Sequence, residues 1–559
     1  MEKWQSLVAD KRRRQQNAIP SAWLIAEPPK TVANVTSFPS ECGLLTEKEV
    51  LITETVDINI LLRKIAASEW SSVEVVTAFY KRAVIAHQLV NCLTEIDIPR
   101  AIARAAELDE YLRTHGKVVG PLHGLPVSLK DQISVKGLET TMGYASWVGQ
   151  YAECDATIVE ILYECGAVPF VKTNLPQTLL WIETNNLLFG RTVNPVNRNL
   201  TSGGSSGGEG ALLALKGSPL GIGTDLGGSL RIPTAYNGLY GLKPSALRMP
   251  LSGVVSSIQG QDSVLSSLGP MANTLSGLKA FMEAIFSQEP WMKDPLVAPM
   301  PWSKARYELA EHGGGNRLCF AIMWHDGAIK PHPPVTRALT LVKDALTIAG
   351  HQVIDWQPLK HLEFSNLLNS IWSAGSREDF LEATMSTGEP ILDSMELNAG
   401  TSGAGYFAKT TGTGAHELWK LHKLKTETRK DYLDRWQNTV QVTGTGRPID
   451  AIICPATPSA APPHGMNKYS NYTRVWNALD YTASVFPVTT VNPDVDIKQP
   501  PHEFSNSLDK FYYEMYELET FRGAPIGLQL VGRMLEEEAV LAMTKIVDDA
   551  LKVVPTHKL

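Results

Sequence analysis

Apolar residues recur at three- and four-residue spacing over residues 57–70, "DINILLRKIAASEW", and over 71–89, "SSVEVVTAFYKRAVIAHQL", which predicts two amphipathic helices. A third is predicted over "IPRAIARAAELDEYLRTHG", residues 98–116, with Gly116 as its stop, and residues 2–17 read as a charged helix ended by Ile19-Pro20. The pattern then changes. Short apolar runs bounded by Gly and Pro follow, "PVSLKDQIS" (126–134), "AVPFVKTN" (167–174) and "PLGIGTD" (219–225), and they read as buried strands. Strand chemistry returns in "AIICPATPSAAPP" (451–463), "FPVTTV" (486–491) and "GAPIGLQLVG" (523–532) before a closing helix over 535–554. Buried strands alternating with helices define an α/β protein. Residues 355–440 read as a helix-rich polar region holding a Gly/Thr-rich surface loop, "NAGTSGAGYFAKTTGTGAHE".

Composition narrows the partners more than the fold. With 51 basic and 58 acidic residues, the net charge of -7 supplies no positive field, so nucleic acid is excluded as a partner. The six cysteines (Cys42, Cys92, Cys154, Cys165, Cys319, Cys454) form no C-x-x-C pair and no zinc spacing, which reads as a reducing compartment. The charged N-terminus has no apolar core typical of a signal peptide, and no run approaches the roughly 18 to 20 apolar residues of a membrane span. A cytoplasmic location follows, with the sequons at Asn34, Asn199 and Asn471 as chance matches. The last residues, "THKL", resemble a peroxisomal address only loosely.

Two Gly/Ser clusters stand close together, "TSGGSSGGEG" at 201–210 and "GIGTDLGGSLR" at 221–231. They match no phosphate loop: Gly221 and Gly223 are followed by Leu226 where a third glycine would fall. A flexible linker is a poor fit too, since both run into apolar segments that call for burial. The remaining reading is catalytic. Gly203 to Gly207 satisfies G-x-S-x-G, with Ser205 as a nucleophile served by a distant histidine as in α/β-hydrolases. Ser229 is the other candidate, because the glycines before it let backbone N–H groups converge on an oxyanion. A serine needs a base, and no histidine motif serves either cluster; "HELWKLH" carries Lys420 where a second zinc ligand would stand. Lys130 ends an apolar strand-like run, where desolvation would favour its neutral, basic form. Its ordinary alternative is an ion pair with adjacent Asp131.

Taken together, "GPLHGLPVSLKDQISVKGLETTMGY", "GRTVNPVNRN", the uninterrupted stretch from Thr201 to Ser245 and "GAPIGLQLVGR" resemble the amidase signature family, and within it the acetamidase-like general amidases of fungi. The likeness runs from "DKRRRQQNAIPSAW" to the C-terminal helix. It implies a large mixed twisted sheet covered by helices on both faces, with residues 1–72 as a helical extension and 73–559 as the catalytic domain. It further implies an amide hydrolase with a Lys130, Ser205 and Ser229 triad. Ser229 attacks, Ser205 relays across a cis peptide after Gly204, and Lys130 is the terminal base. The backbone N–H groups of Leu226, Gly227, Gly228 and Ser229 would form the oxyanion hole, braced by Thr224 and Asp225, with Leu179 and Leu180 on the acyl-side wall. No metal or organic cofactor is implied, and the partner is a small-molecule amide; a homodimer is expected by family habit. The alternatives are a glutaminase subunit of an amidotransferase and an esterase with a distant histidine.

Overall fold

The computed structural model describes residues 2–392 and 412–553. Most of the Gly/Thr-rich loop and the terminal "THKL" lie outside the described residues.

Among the described residues thirteen strands are formed, eleven of them in one sheet. They are β1 (Leu93–Ile96), β2 (Pro126–Lys130), β3 (Val168–Thr173), a two-residue hairpin of β4 (Asn185–Asn186) and β5 (Gly190–Arg191), β6 (Leu220–Asp225), β7 (Tyr240–Lys243), β8 (Ser267–Ala272), β9 (Cys319–Ile322), β10 (Gln352–Asp355), β11 (Ala451–Pro455), β12 (Ala483–Thr490) and β13 (Pro525–Val531). The large sheet runs β1-β3-β2-β6-β8-β7-β12-β13-β11-β9-β10. It is mixed: β2 is parallel to both β3 and β6, while β6, β8, β7, β12, β13 and β11 alternate antiparallel. All six apolar runs predicted as strands lie in this sheet. Strands β1, β7, β8, β9 and β10 went unpredicted because each is only four to six residues long, and glycine or proline further interrupts "YGLK" and "SLGPMA".

Local chemistry sets the helix ends. In the Ser72–Val90 helix, Ser71 and Glu74 form a reciprocal capping box that satisfies N–H groups left open by the first turn. Gly116 ends the Ile98–His115 helix in the left-handed region at φ 62°, where a Cβ would be disfavoured. The Lys3–Asn17 helix docks onto the sheet through charge: Lys11 is buried between Glu95 and Glu139, and Arg14 reaches Glu139 at 3.0 Å. That contact fixes the segment that follows β2. One apolar core spans residues from Ile52 to Leu551, and a second gathers the Ser72–Val90 helix against β3 and the Gly207–Ala214 helix. Among the described residues, no helix is long and apolar enough to cross a membrane.

Candidate active site

Parallel pairing of β2 and β6, with Ser128 opposite Gly221 and Leu129 opposite Ile222, brings the C-terminal ends of both strands to the same edge of the sheet. In open α/β sheets that edge is where ligands bind. Lys130 is the last residue of β2 and Thr224-Asp225 the last of β6, so the register alone sets the amine beside the second Gly/Ser cluster. The first cluster arrives from the other side. Ser205 lies in the turn before the Gly207–Ala214 helix, and the Gly204-Ser205 peptide bond is cis. Ser206 N–H then donates to the Ser229 carbonyl at 2.9 Å, joining the two clusters.

Lys130 Nζ lies 2.7 Å from Ser205 Oγ and 2.8 Å from Thr224 Oγ1, with Lys130 fully buried and Ser205 2% exposed. Thr224 Oγ1 is 2.6 Å from Gln132 Oε1, and Gln132 Nε2 donates to the Val255 carbonyl at 2.8 Å. These contacts set the hydrogen positions. Since Val255 fixes the amide of Gln132, its Oε1 must accept from the Thr224 hydroxyl, and Thr224 oxygen therefore accepts from the lysine. A neutral Lys130 keeps its lone pair for Ser205. Burial pushes the amine down to about 7, against the opposing pull of Asp225 and Glu209. The neighbouring acid, Asp131, is engaged elsewhere: it accepts from Thr94, Thr141 and Met142 and faces Lys172 at 3.8 Å.

Asp225 organises the loop that carries Ser229. Its carboxylate receives two bonds of 2.9 Å from the Arg231 guanidinium, and also accepts from the N–H groups of Gly228, Leu230 and Arg231. Burial opposes its ionisation, yet Arg231 outweighs that and holds the carboxyl far below the ordinary range. Arg231 is itself buried and is completed by Thr473, Gln529 and Asn477. Thr473 also donates to the Gly227 carbonyl at 2.8 Å, and Trp372 packs against Gly227. Gly228 has φ +124°, and a Cβ there would stand 2.2 Å from Thr473 Oγ1, so only glycine fits.

Of the four residues expected to donate to an oxyanion, Gly228 gives its N–H to Asp225 Oδ1 at 2.8 Å, because the carboxylate closes a tight turn over residues 225–228. The N–H groups of Leu226, Gly227 and Ser229 have no hydrogen-bond partner among the described residues. Ser229 itself is half-buried.

The expected wall residues are placed differently from the loop. Leu179, at φ +66°, is buried with Met142, Tyr144 and Leu175, and Leu180 packs on the main core. A cavity of about 500 Å³ reaches Leu226 and is lined by Gln132, Leu251, Val254 and Ile258; a neighbouring one of about 570 Å³ is bounded by Ile258, Ile371 and Trp372. Gln132, Arg231, Thr473, Asn477 and Trp372 escaped sequence reasoning. Arg231 alone left a signal, a charge inside the apolar stretch "LRIPTAYNG". Thr473 and Asn477 stand some 240 positions away from the loop they hold. Among the described residues, no group of three or more His, Cys, Asp or Glu side chains is placed to hold a metal ion.

A mixed eleven-stranded sheet sets a buried lysine beside Ser205 at the edge where two glycine-rich loops meet, and the chain belongs to the amidase family, whose model matches residues 74–541. Its relatives sharpen this. The chain is 41% identical to an acetamidase of Emericella nidulans over 97% of both chains, and 40% identical to an acetamidase of Aspergillus oryzae over 98% of this chain and 99% of that one. Among solved structures, a fatty acid amide hydrolase superposes with a TM-score of 0.90 at 33% identity, covering 99% of this chain and 95% of its own. A peptide amidase from Stenotrophomonas maltophilia, at 21% identity and a TM-score of 0.68 over 89% of this chain and 97% of that one, shares the fold. The protein is an amidase.

Proposed function

We propose that this amidase cleaves short aliphatic or aryl carboxylic amides to a carboxylate and ammonia or amine through an acyl-enzyme on Ser229. Ser229 Oγ attacks the amide carbon while Ser205 accepts its proton and passes its own to the neutral amine of Lys130. The tetrahedral oxyanion accepts from the N–H groups of Leu226, Gly227 and Ser229, each worth about 3–4 kcal/mol in sites of this kind. The lysinium returns its proton through Ser205 to the departing nitrogen, and water attacks the ester by the same relay.

The observation that carries this reading is the bonding of Lys130, in which Thr224 and Gln132 aim the lone pair at Ser205, 2.7 Å away. No histidine bonds to Ser205 or Ser229 among the described residues, which disfavours an esterase with a distant histidine. Likeness to acetamidases over nearly the whole chain supports short acyl groups. The test is turnover of a panel from acetamide through benzamide to oleamide by the wild type and Ser229→Ala, with intact-mass detection of an acyl adduct on a slow ester. Acetamide or benzamide hydrolysis that survives Ser229→Ala would overturn the mechanism.

A further inference from the structure

Glu209 is a fully buried acid on the Gly207–Ala214 helix, four residues beyond Ser205, and the mechanism above does not use it. Its carboxyl rests against the sheet, and among the described residues it forms no ion pair. What it has instead is one hydroxyl on each oxygen. Ser128 Oγ lies 2.6 Å from Oε2 and Thr173 Oγ1 2.8 Å from Oε1. Ser128 is two residues before Lys130 on β2, so both side chains leave the same face of the sheet, and Thr173 is the register partner of Lys130 on β3. Room for the carboxyl is made on β6, where a Cβ on Gly221 would stand 2.2 Å from Oε2.

Both hydroxyls have a second acceptor within reach, Ser128 toward the Leu220 carbonyl at 3.4 Å and Thr173 toward the Leu129 carbonyl at 3.5 Å. Each can donate to an ionised carboxylate, or turn to the backbone and accept when the acid is protonated. The cluster thus accommodates either state of Glu209 without moving a strand.

We infer that Glu209 is a positioning residue whose carboxylate, held in the sheet by Ser128 and Thr173, supplies the negative charge that steadies Lys130 when it takes the serine proton. The inference rests on the proposed role of Lys130 as base. Lys130 faces two anionic groups, Glu209 from the helix and Asp225 from the end of β6. They are not equivalent, because Asp225 is already matched by Arg231, with Lys243 also acting on it, whereas among the described residues Lys130 is the one cation acting on Glu209. Cys92, the remaining titratable group beside Glu209, stays a thiol, since burial and the nearby acid both raise it. Burial pushes Glu209 up to about 8, opposed by the two hydroxyls and by Lys130, so the carboxylate forms on the alkaline side of neutrality. No atom is transferred to Glu209 during turnover: the proton travels from Ser229 through Ser205 to Lys130 and back.

The test is the pH profile of kcat/KM for acetamide or benzamide, from pH 5.5 to 10, in the wild type, Glu209→Gln, Ser128→Ala and Lys130→Ala. Glu209→Gln keeps the side chain's size and is expected to remove the rise that follows carboxylate formation above neutrality, lowering the alkaline plateau about tenfold, while the limb set by Lys130, which titrates below Glu209, stays in place. Ser128→Ala removes a donor to the carboxylate and is expected to move the rise toward higher pH. Infrared difference spectra should show a carboxylic acid band lost on alkaline titration of the wild type and absent from Glu209→Gln, a reading independent of turnover. A wild-type alkaline plateau in Glu209→Gln, with Lys130→Ala inactive, overturns this inference alone. Should Glu209→Gln fail to fold, an unshifted Ser128→Ala profile overturns it equally. Activity retained by Lys130→Ala would instead remove the mechanism on which the inference rests.

Discussion

The amide of Ser206 donates to the carbonyl of Ser229 at 2.9 Å, and that single bond ties together two glycine-rich turns, one from each side of the sheet edge. Its effect is to hold the turn that carries Ser205 against the loop that carries Ser229. Lys130 reaches Ser205 from below, along a strand whose register is set by β6.

Replacing Ser229 by Ala is expected to lower kcat/KM for amides at least about a thousandfold, since loss of a covalent nucleophile in related chemistry costs that much or more. Ser205→Ala should be similarly severe, and the thermal midpoint of both variants should stay near that of the wild type. Steady-state kinetics beside a melting curve checks both. Near wild-type turnover in Ser205→Ala would remove the relay.

Activity should fall as pH drops through about 7, because the amine must be neutral to accept a proton. The same displacement affects stability. An unfolded chain keeps its lysine protonated up to about 10.4, so between about pH 7 and that value it binds a proton that the native state does not, and stability rises with pH across the window. The cost of burying the charged amine is fully present below pH 7. Lys130→Met should therefore be inactive yet more stable at pH 7 by about 1–3 kcal/mol, after the lost bonds to Ser205 and Thr224 are allowed for. Urea denaturation of both proteins at pH 6 and pH 9 tests the sign: the gain should shrink at the higher pH.

Asp225→Asn leaves Arg231 buried with its countercharge gone, an arrangement that typically costs about 3–5 kcal/mol. It also weakens the acceptor of the Gly228, Leu230 and Arg231 amides, so kcat should fall in whatever protein still folds. Chemical denaturation with parallel kinetics measures the two losses.

Gly228→Ala adds a methyl at φ +124° and drives it onto Thr473. The expected result is a loss of soluble protein or a fall in kcat of more than about a hundredfold, and Thr473→Ala should not restore it, because the backbone conformation itself excludes a side chain. Restoration by that second substitution would show that the contact alone mattered.

Removing residues 2–17 would strip Lys11 from both Glu95 and Glu139 and Arg14 from Glu139, leaving two carboxylates, one of them fully buried, without their ion-pair partners. We expect a loss of several kcal/mol in stability, with Glu139→Gln recovering part of it in the shortened chain. Differential scanning calorimetry of the four proteins reads the coupling.

By itself the sequence determined the apolar runs that became β2, β3, β6, β11, β12 and β13, the helices that cover them, and the two glycine-rich turns that carry Ser205 and Ser229. Each of these is a local property: period, capping residue, turn glycine or unbroken motif. What it left open was who partners whom. The Arg231 ring of acceptors draws Thr473, Asn477 and Gln529 from some 240 to 300 positions away, and Gln132 gains its meaning only once Val255 and Thr224 lie on either side of it. The loss of Gly228 as a free donor likewise depends on where the Asp225 carboxylate turns. Hydrogen bonds and desolvation act over a few ångströms in space whatever the separation along the chain, so the downward shift of the Lys130 amine and the shape of the loop were decided only when the sheet closed around them.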